Sequence, residues 1–156
     1  MSRKKVHRKR REIITESKYQ DPLLSKFIRI LMWHGKLSVA ERIVYQSLDL
    51  LEEKTGETAI KAFTKALSNV KPLVKVKARR VGGATYQVPV EVGEKGWGLA
   101  IRWVIDAARK KTGSSMSQRL YKELLDAHGE TGDAHRKKEE THRMAEANRA
   151  FTHYRI

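Results

Sequence analysis

Cysteine is absent from the 156 residues, which excludes disulfides and thiolate zinc sites and fits a reducing, intracellular setting. Stability must then come from a core, and a chain of this length forms one compact domain burying about 70% of the surface its unfolded form exposes. Long apolar runs are missing too. The longest, such as Ile30–Trp33, fall far short of the about 20 residues that a membrane span requires, and nothing near the N-terminus has the apolar stretch of a secretory signal. A soluble protein with no membrane partner is expected. The most informative lack is of negative charge: between Glu57 and Glu91 there is no carboxylate at all.

What that window does contain is Lys61, Lys65, Lys71, Lys75, Lys77, Arg79 and Arg80, and uncompensated cations so close together repel one another unless a polyanion lies against them. The whole chain is biased the same way, with 33 Lys plus Arg against 18 Asp plus Glu, a net charge of +15. A phosphate backbone is the partner this balance favours. Residues 1–11 carry Arg3, Lys4, Lys5, Arg8, Lys9, Arg10 and Arg11 with no acid, which reads as a basic arm, disordered until a partner neutralises it.

Residues 12–156 read as one mainly α domain of about six helices, with a β-hairpin at about 73–92 protruding between the third and fourth. From Pro22, Leu24, Phe27, Ile28 and Leu31 recur at helical spacing, and Gly35 ends the run. Ser38-Val-Ala-Glu41 has the form of a capping box opening a second helix, with Ala40, Ile43, Val44, Ser47, Leu50 and Leu51 on one face and Gly56 as its stop. A third runs from about Thr58 to Pro72, with Ile60, Phe63, Leu67 and Val70 on one stripe and Lys61 and Lys65 on the other side. The period then drops to two: Val74, Val76 and Ala78 alternate with Lys75, Lys77 and Arg79, and Tyr86, Val88, Val90 and Val92 alternate on the return. A two-residue Gly82-Gly83 turn would set Lys77 opposite Val88 and mix charge into the apolar face, so an odd loop of three or five residues is expected. Pro89 removes a backbone donor, so the hairpin is expected to project alone and to be mobile off its partner. After a flexible Gly93–Gly98 joint, Leu99–Lys111 is apolar on most sides and should be the central helix. Arg109, Lys110 and Lys111 suit its C-terminal dipole. Ser115-Met-Ser-Gln118 caps a fifth helix ending at Gly129, and Asp133 caps a last one reaching about Asn148.

Catalytic and metal constellations are not found. His135, Glu139, His142 and Glu146 fall on one helical line, but Glu139-x-x-His142 has no second copy, and i, i+4 pairing of Arg136 with Glu140 and Glu139 with Arg143 accounts for the spacing as a solvated face. Gly35-Lys36 lacks the upstream glycine of a P-loop, and the Gly93, Gly96, Gly98 order is not that of a dinucleotide fold. No enzyme, metal or cofactor is expected. Phe27, Phe63 and Trp103 read as core, Tyr86 is a candidate to touch a base or ribose, and Trp33 and Trp97 stay open.

Three segments, in order, resemble the bacterial or organellar form of the small-subunit ribosomal protein seven family. They are Asp21-x-Leu23 through Phe27-Ile28 and Gly35-Lys36 to Ile43-Val44-x-x-Ser47; Val76 to Val90 with Leu99-Ala-Ile-Arg-Trp103; and Arg136 to Arg155. The family fold is six helices with a hairpin between the third and fourth. The resemblance implies a structural constituent of the small subunit that binds the 3′ major domain of its rRNA, nucleates assembly of the head, and lies at the subunit interface near the decoding region. It implies as partners the exit-site tRNA, messenger, and small-subunit proteins nine and eleven, and a cytoplasmic location, or matrix or stroma for an organellar form. On the matching positions, RNA contact is implied for the arm, Lys36, Lys75, Lys77, Arg79, Arg80, Arg109, Lys110, Lys111 and Met116. Val81, Gly82, Gly83, Ala84, Arg143, Arg149, Tyr154 and Arg155 would face tRNA and neighbouring protein. Leu37 and Thr112-Gly-Ser-Ser115 depart from the more basic residues usual in the family. A DNA-binding architectural protein or helical regulator is the competing reading, since a basic hairpin beside helices can also bend duplex DNA.

Overall fold

The computed structural model describes residues 15–154, so the arm and Arg155 lie outside the described residues. Six α-helices are found there: α1 (Pro22–Leu31), α2 (Leu37–Thr55), α3 (Ala59–Val70), α4 (Gly96–Lys110), α5 (Met116–His128) and α6 (Gly132–Ala147). Between α3 and α4 stand two antiparallel strands, β1 (Val74–Val81) and β2 (Ala84–Glu91), and a 3₁₀ segment, Arg149–Tyr154, follows α6. The expected architecture is therefore the observed one. No described helix is long and apolar enough to cross a membrane.

The core collects the apolar stripes read from the sequence. Phe27 and Phe63 are fully buried, edge to face with ring centroids 5.3 Å apart, and Ile101, Val104, Ile105 and Ala108 of α4 bury against α1, α3 and α5 as a central helix should. Trp103 is only half-buried, packed at the edge of this core. On α2 the buried line is Ala40, Val44, Ser47, Leu48 and Leu51, with Leu50 turned outward. Four of the six expected residues are thus buried and Ile43 is half-buried, while Leu48, four residues on from Val44, takes the place of Leu50.

Helix ends differ from expectation in an instructive way. Ser115 caps α5 through Gln118 N–H as expected, and Asp21 caps α1 by accepting from Leu24 N–H at 2.7 Å. Ser38 lies inside α2, whose preceding residue Lys36 makes no side-chain cap. Nor is Asp133 the cap of α6. Glu123 of α5, fully buried, accepts the Ala134 N–H at 2.9 Å and pairs with Lys111 Nζ at 2.8 Å, so the start of α6 is closed by a carboxylate from another helix. C-termini are closed similarly: Asn69 Nδ2 donates to the Ala127 and His128 carbonyls, Lys138 Nζ to Asn69 O, Arg109 to Leu31 O and Arg119 to Lys111 O. Gly96 is part of no flexible joint. A side chain there would meet Lys71 Cγ and the Pro72 carbonyl at 3.0 Å, so the glycine lets the start of α4 press against the end of α3.

The segment before α1 is anchored by Glu16. Its carboxylate accepts from Lys18 N–H and Tyr19 N–H at 2.8 Å, Asp21 N–H at 3.1 Å and the Tyr45 hydroxyl at 3.0 Å, while Glu16 N–H donates to Ser25 Oγ. Burial pushes the carboxyl pKa up, but these donors outweigh it and hold the group below its usual 4.5.

Two outcomes follow from the buried carboxylates. Glu123→Ala is expected to lower stability by about 3–5 kcal/mol, since it strips Lys111 of a buried partner and opens the start of α6, whereas Glu123→Gln keeps the Ala134 bond and loses less. Urea midpoints of the two variants check this. For Glu16, folding lowers the pKa, so its stabilisation is complete above about pH 4.5 and disappears as the pH falls through the lower folded value. Glu16→Gln should therefore flatten the acid limb of stability against pH, and an unchanged limb would refute the assignment.

Candidate nucleic-acid interface

Two cationic regions stand out, and the first is the hairpin. Its turn is the two-residue one: Val81 pairs with Ala84, Lys77 with Val88 and Arg79 with Tyr86. The expected odd loop is thus incorrect. Gly82 and Gly83 have φ of +57° and +88°, the left-handed pair that a tight turn matched to strand twist demands. Charge is indeed mixed with apolar residues on one face, as that register requires, because the face is covered. Val88 is fully buried, and Tyr86 lies 5.2 Å from Phe151 and 5.1 Å from Tyr154, centroid to centroid, in the 3₁₀ segment after α6. Lys75 and Arg79 lie half-buried along that face, their stems giving apolar cover, while Lys77 and Arg80 are exposed on opposite faces.

Nor does the hairpin project alone. Its base is tied to α6, where His142 Nε2 accepts the Leu73 N–H at 3.1 Å, while the outer part of the ribbon, including Lys77, Arg80 and the run Val81–Thr85, is exposed. Tyr86 and Tyr154 are both half-buried and engaged in this internal stack. On α6 the ion pairs are Arg136 with Asp133, Lys137 with Glu140 and Lys138 with Glu139, in place of the expected i, i+4 set; Arg143 is exposed on that helix, and Arg149 is exposed beside Glu146. Among the described residues no group of three or more His, Asp or Glu is placed to hold a metal ion.

The second region is a cleft of about 500 Å³ between the α1–α2 turn and the α4–α5 joint. It gathers Lys36, Arg109 and Met116, which the sequence reading named separately, and adds Trp33, His34 and Arg119, which it did not assign to a site. Arg119 carried no pattern that could have marked it. The chain turns at His34, whose φ of +52° is unusual for a side-chain-bearing residue, and Lys36 N–H closes the turn on Trp33 O at 3.0 Å. Lys111 is not part of this surface: Glu123 and Asp126 each hold its Nζ at 2.8 Å, and although burial pulls its pKa down, these two acids raise it. Lys110 is exposed, with no ion-pair partner among the described residues, as is true of Lys77 and Arg80.

The turn geometry can be tested directly. Gly82→Val should cost about 1–2 kcal/mol of local stability by forcing a branched residue into the left-handed region. Hydrogen exchange should then quicken for strand amides near the tip and stay unchanged in α1–α5; uniform slowing or no change would show that the turn tolerates another conformation.

The sequence has close relatives. A family model described as ribosomal protein S7p/S5e matches residues 2–149. The chain is 55% identical to the small ribosomal subunit protein uS7 of Borrelia turicatae (strain 91E135) over 99% of both chains, and 56% identical to that of Arthrospira platensis over 99% of both. It is 54% identical to the uS7 of Treponema denticola over 94% of both chains. With the helical order and hairpin already in place, this chain belongs to the ribosomal protein S7p/S5e family, a family of structural constituents of the small ribosomal subunit and not of enzymes.

Proposed function

We propose that this protein binds small-subunit ribosomal RNA directly, recognising the position of phosphates and the shape of a folded junction more than its sequence. The observation that carries the reading is the sorting of charge. Lys77 and Arg80 on the hairpin, Lys110 at the end of α4 and Lys36 beside the cleft are left exposed without acid partners among the described residues, while Lys111 and the most buried carboxylates, Glu16 and Glu123, are used internally. Surface that only needed solubility would have no reason to keep its cations unpaired in two separate places.

Family membership supports the finer reading. The RNA is the 3′ major domain, bound early so that the head of the subunit assembles around it. The hairpin tip Val81–Ala84 approaches the exit-site tRNA and messenger at the subunit interface. Arg143 and Arg149 face the small-subunit proteins nine and eleven, and the arm adds further phosphate contacts. The setting is cytoplasmic.

The test is a salt titration of binding to a 3′ major-domain fragment. Lys77→Ala with Arg80→Ala frees two phosphates and should flatten the log–log dependence of affinity on salt by about 0.7–0.9 for each phosphate no longer neutralised. An unchanged slope would mean that these side chains do not touch phosphate. Equal affinity for duplex DNA of the same length would overturn the RNA reading.

A further inference from the structure

The root of the hairpin is held by a bond that a proton can break. Leu73, which leads from α3 into β1, donates its N–H to His142 Nε2 at 3.1 Å, and its carbonyl accepts the N–H of Val92, just past β2, at 2.9 Å. An imidazole nitrogen accepts only while it carries no proton, so this bond requires the neutral ring with its hydrogen on Nδ1. His142 is half-buried on the wall of a cleft of about 550 Å³ between α6 and the hairpin root, and Leu73 beside it is 69% exposed. Water therefore reaches the pair.

The charges around the ring offer its protonated form a second place. Glu139, one turn before it on α6, and Glu146, one turn after it, line the same cleft. Arg143 lines it too and opposes them, while Lys138 is engaged with Asn69 O at 2.9 Å and Glu139 at 3.9 Å. On the hairpin side the lining is Leu73, Val74 and Pro89, which carry no charge; Lys71, two residues before Leu73, lies over the Trp97 ring, and Glu91 stands opposite Val74 in the strand register. We propose that His142 is a proton-operated latch. Neutral, it holds Leu73 and fixes the hairpin root to α6; protonated, its Nε2–H points at the Leu73 N–H, two donors cannot pair, and the ring turns to Glu139 or Glu146 while the root comes loose. The latch does not depend on the RNA reading. It adds to that reading a hairpin whose Lys77 and Arg80 are presented stiffly when His142 is neutral and loosely in acid.

Hydrogen exchange in the full-length chain, corrected for the intrinsic pH dependence of exchange, tests this between about pH 8 and about pH 5, the interval in which histidine changes charge. Protection at Leu73 and Val92 should fall about tenfold or more on acidification while the core amides of α1–α5 hold level. His142→Gln offers an amide oxygen that accepts at any pH, so both amides should stay protected throughout. His142→Ala should leave them poorly protected at every pH, and level core amides would show that each variant folds. In the wild-type chain, imidazole nitrogen-15 shifts should place the proton on Nδ1 at about pH 8. A proton found on Nε2 there, or wild-type protection at Leu73 that ignores pH, would overturn the latch. So would an acid loss in His142→Gln as steep as in the wild type, which would assign the switch to Glu139 or Glu146 instead.

Discussion

The fold depends on a few acids being placed where they hold the helices together. With 18 carboxylates against 33 Lys and Arg, every internal use of an acid removes one from screening the surface. Glu123 illustrates the economy: one fully buried side chain closes the start of α6, orders Lys111 and joins α4, α5 and α6 at a single point. A buried ion pair is not automatically stabilising, because desolvation opposes it. Here the second oxygen's bond to a helix N-terminal amide supplies what the pair alone would lack. Glu16 does the same for the entry to α1 with four donors.

Long cationic side chains take the complementary role at helix C-termini. Arg109 closes α1, Arg119 closes α4 and Lys138 closes α3, each reaching from another element. This ties the stability of the bundle to the geometry of the cleft, for Arg109 and Arg119 are at once caps and lining. Their guanidinium groups are therefore preorganised, and a ligand seated there would not have to freeze two long side chains. The same fact explains why a run such as Arg109-Lys110-Lys111 cannot be assigned to binding as a block: one cation caps a neighbouring helix, one is exposed with no ion-pair partner among the described residues, and one is paired with two acids.

Much of the fold is legible in the sequence because it rests on local rules. Helical spacing marks the core faces of α1, α3 and α4, glycine and proline mark their ends, and the carboxylate-free window locates the hairpin. The failures share a cause, which is that they require knowing what lies across space. An odd loop follows only if one strand face meets water, and the docking of Phe151 and Tyr154 makes the tighter turn compatible with its neighbours. Ser38 and Asp133 look like caps by sequence, yet α2 starts before the first and Glu123 relieves the second. For the site, Lys36 and Met116 come from a resemblance, while Arg119 and the exposure of Trp33 emerge only when the chain is folded.

The clamped hairpin base has a mechanical consequence. A two-stranded ribbon is marginal by itself, and a tip that must find its target would lose entropy on ordering if the whole ribbon were free. Here the cost is met during folding: His142 pins Leu73, Val92 N–H donates to Leu73 O at 2.9 Å, and the aromatic stack of Tyr86, Phe151 and Tyr154 holds the outer half. The turn at Gly82 and Gly83 and the side chains of Lys77, Ala78, Arg80, Thr85 and Gln87 remain exposed. Lys77 and Arg80 are thus presented from a fixed platform on opposite sides of the ribbon, which suits insertion between two phosphate-lined surfaces better than adhesion to one. The C-terminal 3₁₀ segment is part of that platform, because its Phe151 and Tyr154 pack on Tyr86 of β2.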